Sequence, residues 1–299
     1  MPSSSKVQVD AMKQQEGRFE GKKGVTIYRR TWLPAKVQAI VVLVHGLGEH
    51  SGRYAHVAQA LVDAGCAVYA MDHRGHGQSG GPRALVDRFA NVVADIDHVV
   101  ELARREQPRK PVFLLGHSMG GALSLSYAFK HGDKLSGLIL SGPAVALDGA
   151  PPAMKPISKL LSAFAPRLGL FGIEPSKVSR DPSVVAGYAQ DPLNAHGKVP
   201  ARTLGEIVRF VEWLPLALPM LKLPLLVQHG EQDLLAGVAG SQMVVERAGS
   251  TDKTLKVYDG LYHEIYNELP KDRARVLADL AAWIEKRIGA RRRTTAKVA

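Results

Sequence analysis

The sequence holds one cysteine, Cys66, in 299 residues. That excludes any intrachain disulfide and fits a reducing compartment. Cys66 lies in the turn Ala64-Gly65-Cys66-Ala67 and reads as a small buried filler rather than a reactive thiol. No apolar run reaches the length needed to span a bilayer. Residues 1–16 are polar and lack the apolar core of a signal peptide. The expected location is therefore cytoplasmic. Metal-ligand spacing is missing too: His45, His50, His73 and His76 crowd two loops without paired carboxylates or cysteines, and they read as loop structure.

What is present describes a globular chain, 45% hydrophobic and 22% charged, long enough for one large domain or one domain with an insertion. The formal charge of +11 is concentrated at the ends. Lys6, Lys13, Arg18, Lys22 and Lys23 stand near the start; Lys286, Arg287, Arg291, Arg292, Arg293 and Lys297 close the chain. The tail from Arg291 onward follows no apolar pattern and reads as disordered and solvated. A peripheral contact with anionic lipid is a further expectation, since a basic residue near such a surface contributes about 1 kcal/mol. Nucleic-acid binding is not expected, because no helix-turn-helix, finger or aromatic-basic platform accompanies the charge.

The chain is organised around Gly116-His117-Ser118-Met119-Gly120. Before it, Pro111-Val112-Phe113-Leu114-Leu115 has the pattern of a buried parallel strand. After it, small residues followed by larger apolar ones read as a helix packed closely on a sheet. A sharp strand-to-helix turn at a serine within G-x-S-x-G is a nucleophile elbow, with glycines where side chains would not fit.

Around this stretch strands and helices alternate. Residues 24–31, 39–44, 67–71, 138–141, 223–228 and 255–258 read as strands, the first with Val25, Ile27 and Trp32 on one side. Helices are expected at 54–64, at 89–102 with Phe89, Val92, Val93, Ile96, Val99, Val100 and Leu102 apolar, and at 273–288. The expected fold is α/β, a mostly parallel sheet with helices on both faces. From 144 to 218 the rhythm breaks into proline-punctuated helical pieces, read as a cap or lid over the strand ends. The expected organisation is a flexible segment at 1–16, core at 17–143, cap at 144–218, core at 219–289 and a basic tail at 290–299.

A serine hydroxyl needs a base and an acid, and in elbow folds they follow in the order serine, acid, histidine. Asp233 fits the acid, just after the strand ending at Gln228; His263 fits the base, between the last strand and the last helix. Both fall at the strand edge that carries Ser118. Glu231 and Asp259 are rival acids, but Asp259 shares the loop of His263. His229 reads as structural. The oxyanion would be held by the N–H of Met119 and one from His45-Gly46-Leu47-Gly48, with Leu47 the best placed.

Taken together, His45-Gly46-Leu47-Gly48-Glu49-His50-Ser51-Gly52-Arg53-Tyr54, Asp72-His73-Arg74-Gly75-His76-Gly77-Gln78-Ser79, the elbow and Tyr262-His263 resemble the monoacylglycerol lipase family of α/β-hydrolases. Ser179-Arg180-Asp181-Pro182 and Tyr188-Ala189-Gln190-Asp191-Pro192-Leu193 resemble its lid. The resemblance implies the α/β-hydrolase fold and cofactor-free ester hydrolysis of monoacylglycerols to fatty acid and glycerol. It matches Ser118, Asp233 and His263 to the triad, Leu47 and Met119 to the oxyanion donors, and Arg53 and Tyr188 to the glycerol side of the pocket. Glu49 joins them as a polar group able to hold the diol, with a plain Glu-Arg pair as the alternative. Tyr266 stands where mammalian members have histidine. Leu160, Leu161, Phe164, Leu168, Leu170 and Phe171 would shelter the acyl chain at about 0.8 kcal/mol per buried CH₂, or form the core of the cap itself. A broader carboxylesterase or lysophospholipase is the neighbouring reading. A receptor sharing the fold, or a binder using the basic ends, would have no need of the triad. A dehalogenase or epoxide hydrolase would need aspartate at 118.

Overall fold

The computed structural model describes residues 12–146 and 154–296. Eight strands form one sheet: β1 (Lys13–Glu20), β2 (Thr26–Leu33), β3 (Ala39–Val44), β4 (Cys66–Met71), β5 (Val112–His117), β6 (Gly137–Ser141), β7 (Leu225–Gly230) and β8 (Lys253–Tyr258). Their spatial order is β1-β2-β4-β3-β5-β6-β7-β8. Pairings from β4 to β8 are parallel, whereas β1 and β2 join antiparallel at one edge. Strand order reverses at β3, with β4 on one side and β5 on the other, which opens a crevice at the C-terminal ends of β3 and β5.

The central strands read as continuous apolar runs because both faces are covered. Ile40, Val42 and Val44 of β3 point toward α2 (Phe89–Glu106) and α3 (Met119–His131). Val41 and Leu43 point the other way, toward α1 (Ala55–Asp63) and α8 (Pro270–Ala296). The same alternation separates Ile27 from Trp32: five residues apart on one strand, they lie on opposite faces, not on one side. In α2 the inward stripe closes on Ala103, while Leu102 is only partly buried.

Three elements depart from the sequence reading. Lys13–Glu20 pairs with β2 although the polar start of the chain gives little strand signal. Its burial alternates with exposure because only one face meets the protein. Helix α7 (Val238–Arg247) was not anticipated; three of its residues are buried, which leaves a weak apolar stripe. Helix α8 begins at Pro270 and runs through Gly289 to Ala296, where a solvated tail was expected. Alanine and arginine there are good helix formers, and extending a formed helix costs little. Residues 297–299, and 1–11 of the expected flexible start, lie outside the described residues.

Between β6 and β7 the insertion carries α4 (Met154–Phe164), α5 (Pro182–Gln190) and α6 (Ala201–Ala217). Asp181 caps α5 by accepting the Ser183 N–H at 2.9 Å, with Pro182 in the first turn, so the Ser-Arg-Asp-Pro run is a helix start. The insertion is tied to the core at several points. Thr203 donates to the Ala84 carbonyl at 2.7 Å and Ala195 N–H to the Gly48 carbonyl at 2.9 Å. Ser179 donates to the Asn267 carbonyl at 2.8 Å.

Candidate active site

Ser118 stands between the end of β5 and the start of α3 with φ 53° and ψ −121°, a conformation that costs a non-glycine residue about 1–3 kcal/mol. The turn is held by its neighbours. A side chain at Gly120 would place its Cβ 2.1 Å from the Val44 carbonyl oxygen and 2.4 Å from that of His45. Ser118 N–H donates to the Ser141 carbonyl at 3.0 Å, and its own carbonyl accepts from Gly121 and Ala144. Packing on both sides thus fixes the serine at the strand edge.

Asp233 and His263, on loops after β7 and β8, meet there. His263 Nδ1 lies 2.6 Å from Asp233 Oδ2. Since a carboxylate only accepts, Nδ1 carries the hydrogen and Nε2 keeps a free lone pair. Asp233 Oδ1 accepts the N–H groups of Leu235 and Ala236 at 2.8 and 2.9 Å, so the carboxylate cannot rotate without losing both. His229, buried with Nε2 2.7 Å from the Ala236 carbonyl, also sits 3.1 Å from Asp233 Oδ2 and braces it from behind. Burial would raise the Asp233 carboxyl, but His263, His229 and the Ala236 N–H hold it far below the usual carboxylate range. Burial would likewise depress the His263 imidazole; the Asp233 charge, with help from Glu264 and Glu49, holds it above its ordinary value. Of the rival acids, Glu231 accepts the Gly260 N–H, and no contact joins Asp259 to His263 among the described residues.

Ser118 and His263 line one cavity of about 160 Å³, together with Leu47, Met119, Glu49 and Tyr188. Gly46 brings the Leu47 loop against the serine, as a Cβ on Gly46 would lie 3.2 Å from Ser118 Cβ. Met119 opens α3, where leading N–H groups have no intrahelical partner and the helix dipole favours negative charge. His117 lines the cavity as well; its ring centre is 4.7 Å from that of His263, and burial and the His263 charge push it down to about 3.

Arg53 lies one layer back from the cavity. Its guanidinium donates to Glu49 Oε2 at 2.8 Å and to both oxygens of Glu264 at 2.7 Å, and stacks 4.8 Å from the centre of the Tyr188 ring. Glu49 Oε1 also accepts from Gly46 N–H at 2.7 Å and from the Tyr54 hydroxyl at 2.6 Å. Burial raises the Glu49 carboxyl, with Arg53 opposing, whereas Arg53 overcomes burial at Glu264 and keeps that carboxyl low. Tyr266 is buried away from the cavity and donates to Gln228 Oε1 at 2.7 Å. His45 and His73 brace the end of β3: His73 N–H donates to His45 Nε2, and His73 Nε2 bonds the His45 carbonyl, each at 2.9 Å.

The apolar wall differs from the expected one. Phe171 faces the cavity, but Leu160, Phe164 and Leu168 are 59%, 82% and 48% exposed and point outward. The lining comes instead from Ile173, Val178, Leu204, Ile207, Leu235 and Ala146. Spacing does not show that they converge, because those from the insertion meet Leu235 of the Asp233 loop only in the folded protein. Glu264 and His117 were also not singled out, though each adjoins a candidate residue in sequence.

A sheet of this order, with a strained serine at its reversal point and an acid-imidazole pair beside it, defines an α/β-hydrolase of the serine type. Residues 35–270 match the Hydrolase_4 family, described as serine aminopeptidase, S33. The chain is 43% identical over 271 residues to the monoacylglycerol lipase of Mycolicibacterium smegmatis, spanning 90% of this chain and 96% of that one. It is 35% identical over 267 residues to the monoglyceride lipase of Homo sapiens, covering 88% of each. Among solved structures, the Paleococcus ferrophilus monoacylglycerol lipase superposes with a TM-score of 0.80 at 32% identity, covering 87% of this chain and 99% of that one. The chain belongs to the monoacylglycerol lipase family of α/β-hydrolases.

Proposed function

We propose that the protein is a serine hydrolase that cleaves monoacylglycerols to fatty acid and glycerol. Ser118 is the nucleophile, His263 the base and Asp233 the residue that orients it. The observation that carries this reading is the 2.6 Å contact of His263 with Asp233 at the wall of the cavity that Ser118 also lines. Ser118 Oγ attacks the ester carbonyl as its proton passes to His263 Nε2. The N–H groups of Leu47 and Met119 receive the developing oxyanion. Collapse breaks the C–O bond, His263 protonates the departing glycerol oxygen, and an acyl-Ser118 remains. Water then repeats the sequence and releases the fatty acid.

The cavity wall also bears on the substrate class. Its apolar side suits an acyl chain, and the Tyr188 hydroxyl offers a polar contact, while Glu49 is taken up by Arg53, Gly46 and Tyr54. No lysine or arginine lines the cavity among the described residues, which disfavours the anionic headgroup of a lysophospholipid. Both lining carboxylates, Glu49 and Glu264, are engaged by Arg53, so neither is free to hold the ammonium group that an aminopeptidase substrate would present. Ser118→Ala should lower hydrolysis about 10⁶-fold and abolish fluorophosphonate labelling. Unchanged turnover would end the serine-hydrolase reading, and a panel of mono-, di- and triacylglycerols with lysophospholipids at matched chain length tests the substrate class.

Peripheral contact with lipid belongs to the same reading. Ile157, Leu160 and Phe164 on one side of α4 are exposed, an apolar stripe able to lie in a lipid interface, and the basic end of α8 is a second candidate. Leu160→Ser with Phe164→Ser should weaken binding to vesicles while hydrolysis of a soluble short-chain ester persists. Equal vesicle binding would remove the stripe from the account; deletion of residues 291–299, tested on anionic vesicles, isolates the tail.

A further inference from the structure

The buried charges behind the cavity form a bridge between the two loops that serine chemistry needs in register. Arg53 reaches Glu264, 211 residues away in sequence, through two hydrogen bonds of 2.7 Å. Its Nη1 also holds Glu49, whose other oxygen holds the Gly46 N–H at 2.7 Å. Gly46 abuts Ser118 and precedes Leu47; Glu264 follows His263 directly. One guanidinium therefore ties the oxyanion loop to the imidazole loop. Glu264 is secured on further sides: Asn267 donates to its Oε2 at 2.9 Å, and its N–H donates to the Val178 carbonyl in the cap at 2.8 Å.

We infer that Glu264 is a positioning residue for the reaction, which through Arg53 locks the His263 imidazole to the loop carrying the oxyanion donor and adds a fixed negative charge beside the base. The inference rests on the serine-hydrolase reading of Ser118 and His263 and deepens it. A pair worth only stability would not require such an arrangement: a buried ion pair contributes little net stability compared with apolar packing, and its best-attested use is to fix register. Here Arg53 is shared between two carboxylates: Glu49 holds the Gly46 N–H of the oxyanion loop, and Glu264 is the residue that directly follows His263. The bidentate fork fixes orientation as well as distance, which a lysine at 53 could not reproduce.

Charge gives the inference a signature that shape alone lacks. The groups facing His263 are Asp233 from the loop after β7, His117 from the elbow, Glu49 from the oxyanion loop and its neighbour Glu264, with Arg53 joining the last two. Glu264 contributes to raising the His263 imidazole. Replacing Glu264 by glutamine keeps the volume and an acceptor but removes the anion and leaves Arg53 paired with Glu49 alone. The imidazolium loses a stabilising partner, its pKa falls, and the free base persists to lower pH.

The test uses the full chain with Glu264→Gln, Arg53→Met, the double variant, and two readouts: kcat/KM for p-nitrophenyl butyrate across pH, and the rate of fluorophosphonate labelling at Ser118. Glu264→Gln should lower kcat at least tenfold with KM changed far less, slow labelling in parallel, and move the acid limb of the kcat/KM profile to lower pH. The double variant should lose no more than the worse single one, as residues acting as a unit do. An acid limb that stays in place, or losses that multiply in the double variant, would overturn the inference. If Glu264→Gln fails to fold, Arg53→Lys carries the test: it keeps the charge but loses the fork, and a kcat within a factor of two of wild type would be equally fatal. Labelling reports on Ser118 and His263 whatever ester the protein prefers, so failure of the monoacylglycerol reading leaves this outcome legible.

Discussion

Replacing Asp233 by asparagine exchanges one carboxylate oxygen for an amide nitrogen, and the surroundings dictate which. Oδ1 accepts two backbone N–H groups, from Leu235 and Ala236, so the amide oxygen must stay there. The amide NH₂ then faces His263 Nδ1, which is 2.6 Å from the oxygen it replaces, and also His229 Nε2 at 3.1 Å. A donor opposite Nδ1 forces the imidazole hydrogen onto Nε2, where it can no longer accept the Ser118 proton. Inversion of the tautomer at such a triad costs about 10⁴ in turnover, or about 5.4 kcal/mol in the barrier at 1.36 kcal/mol per decade. The loss of a charge-assisted hydrogen bond should lower stability by about 2 kcal/mol, a fall of about 3 °C in Tm for a chain of this size. The assay is kcat/KM on a soluble ester, with Tm measured on the same sample. A folded Asp233→Asn protein retaining activity within tenfold of wild type would remove Asp233 from the acid role and return attention to the other carboxylates.

Three other outcomes follow from the same geometry. Because the His263 imidazole is held above its ordinary value and must be neutral to act, activity should vanish as pH falls through a limb above about 6.5; a kcat/KM profile flat down to pH 5 would contradict that environment. Gly120→Ala drives a Cβ into two backbone carbonyls that cannot yield, and should cost about 3 kcal/mol or prevent folding; an unaltered thermal melt would refute the packing of the elbow. Tyr266→Phe strands the buried Gln228 oxygen and should lower stability by about 1–3 kcal/mol while leaving kcat/KM near wild type, since Tyr266 does not line the cavity.

The sequence carries the centre of this fold clearly and its margins poorly. Strands β3 to β7 are buried on both faces, so every residue in them is under the same apolar demand and the runs stand out. Strand β1 buries one face only, and its alternation is written in residues such as Gln15 and Arg18 that also suit a surface loop. The positions of Ser118, Asp233 and His263 are legible because each stands just after a strand, which spacing reveals. The cavity wall is not, because Ile173 and Leu204 of the insertion meet Leu235 of the Asp233 loop only in the folded protein. The outward turn of Leu160 and Phe164 has the same origin: amphipathic spacing shows that a helix has two faces, not which of them meets the protein. The resemblance puts Arg53 on the glycerol side of the pocket and spacing puts it near Glu49, four residues earlier; its bidentate engagement with Glu264, which holds it out of the cavity lining, depends on a contact that no local pattern records.

The stitching of the insertion into the rest of the molecule has a practical side. Arg180 bonds Glu268, Ser179 reaches the Asn267 carbonyl, Ala195 is hydrogen-bonded to Gly48, and Thr203 to Ala84. Three of these anchors end on the stretches that carry Leu47 and His263, and the fourth ends on the segment before α2. Exchanging residues 144–218 for those of a relative, as one might to retune acyl preference, would therefore leave dangling donors on the graft and orphaned acceptors on the recipient. A chimera that carried over the receiving loops as well would keep those partners, and the smallest transplantable unit is thus a discontinuous one.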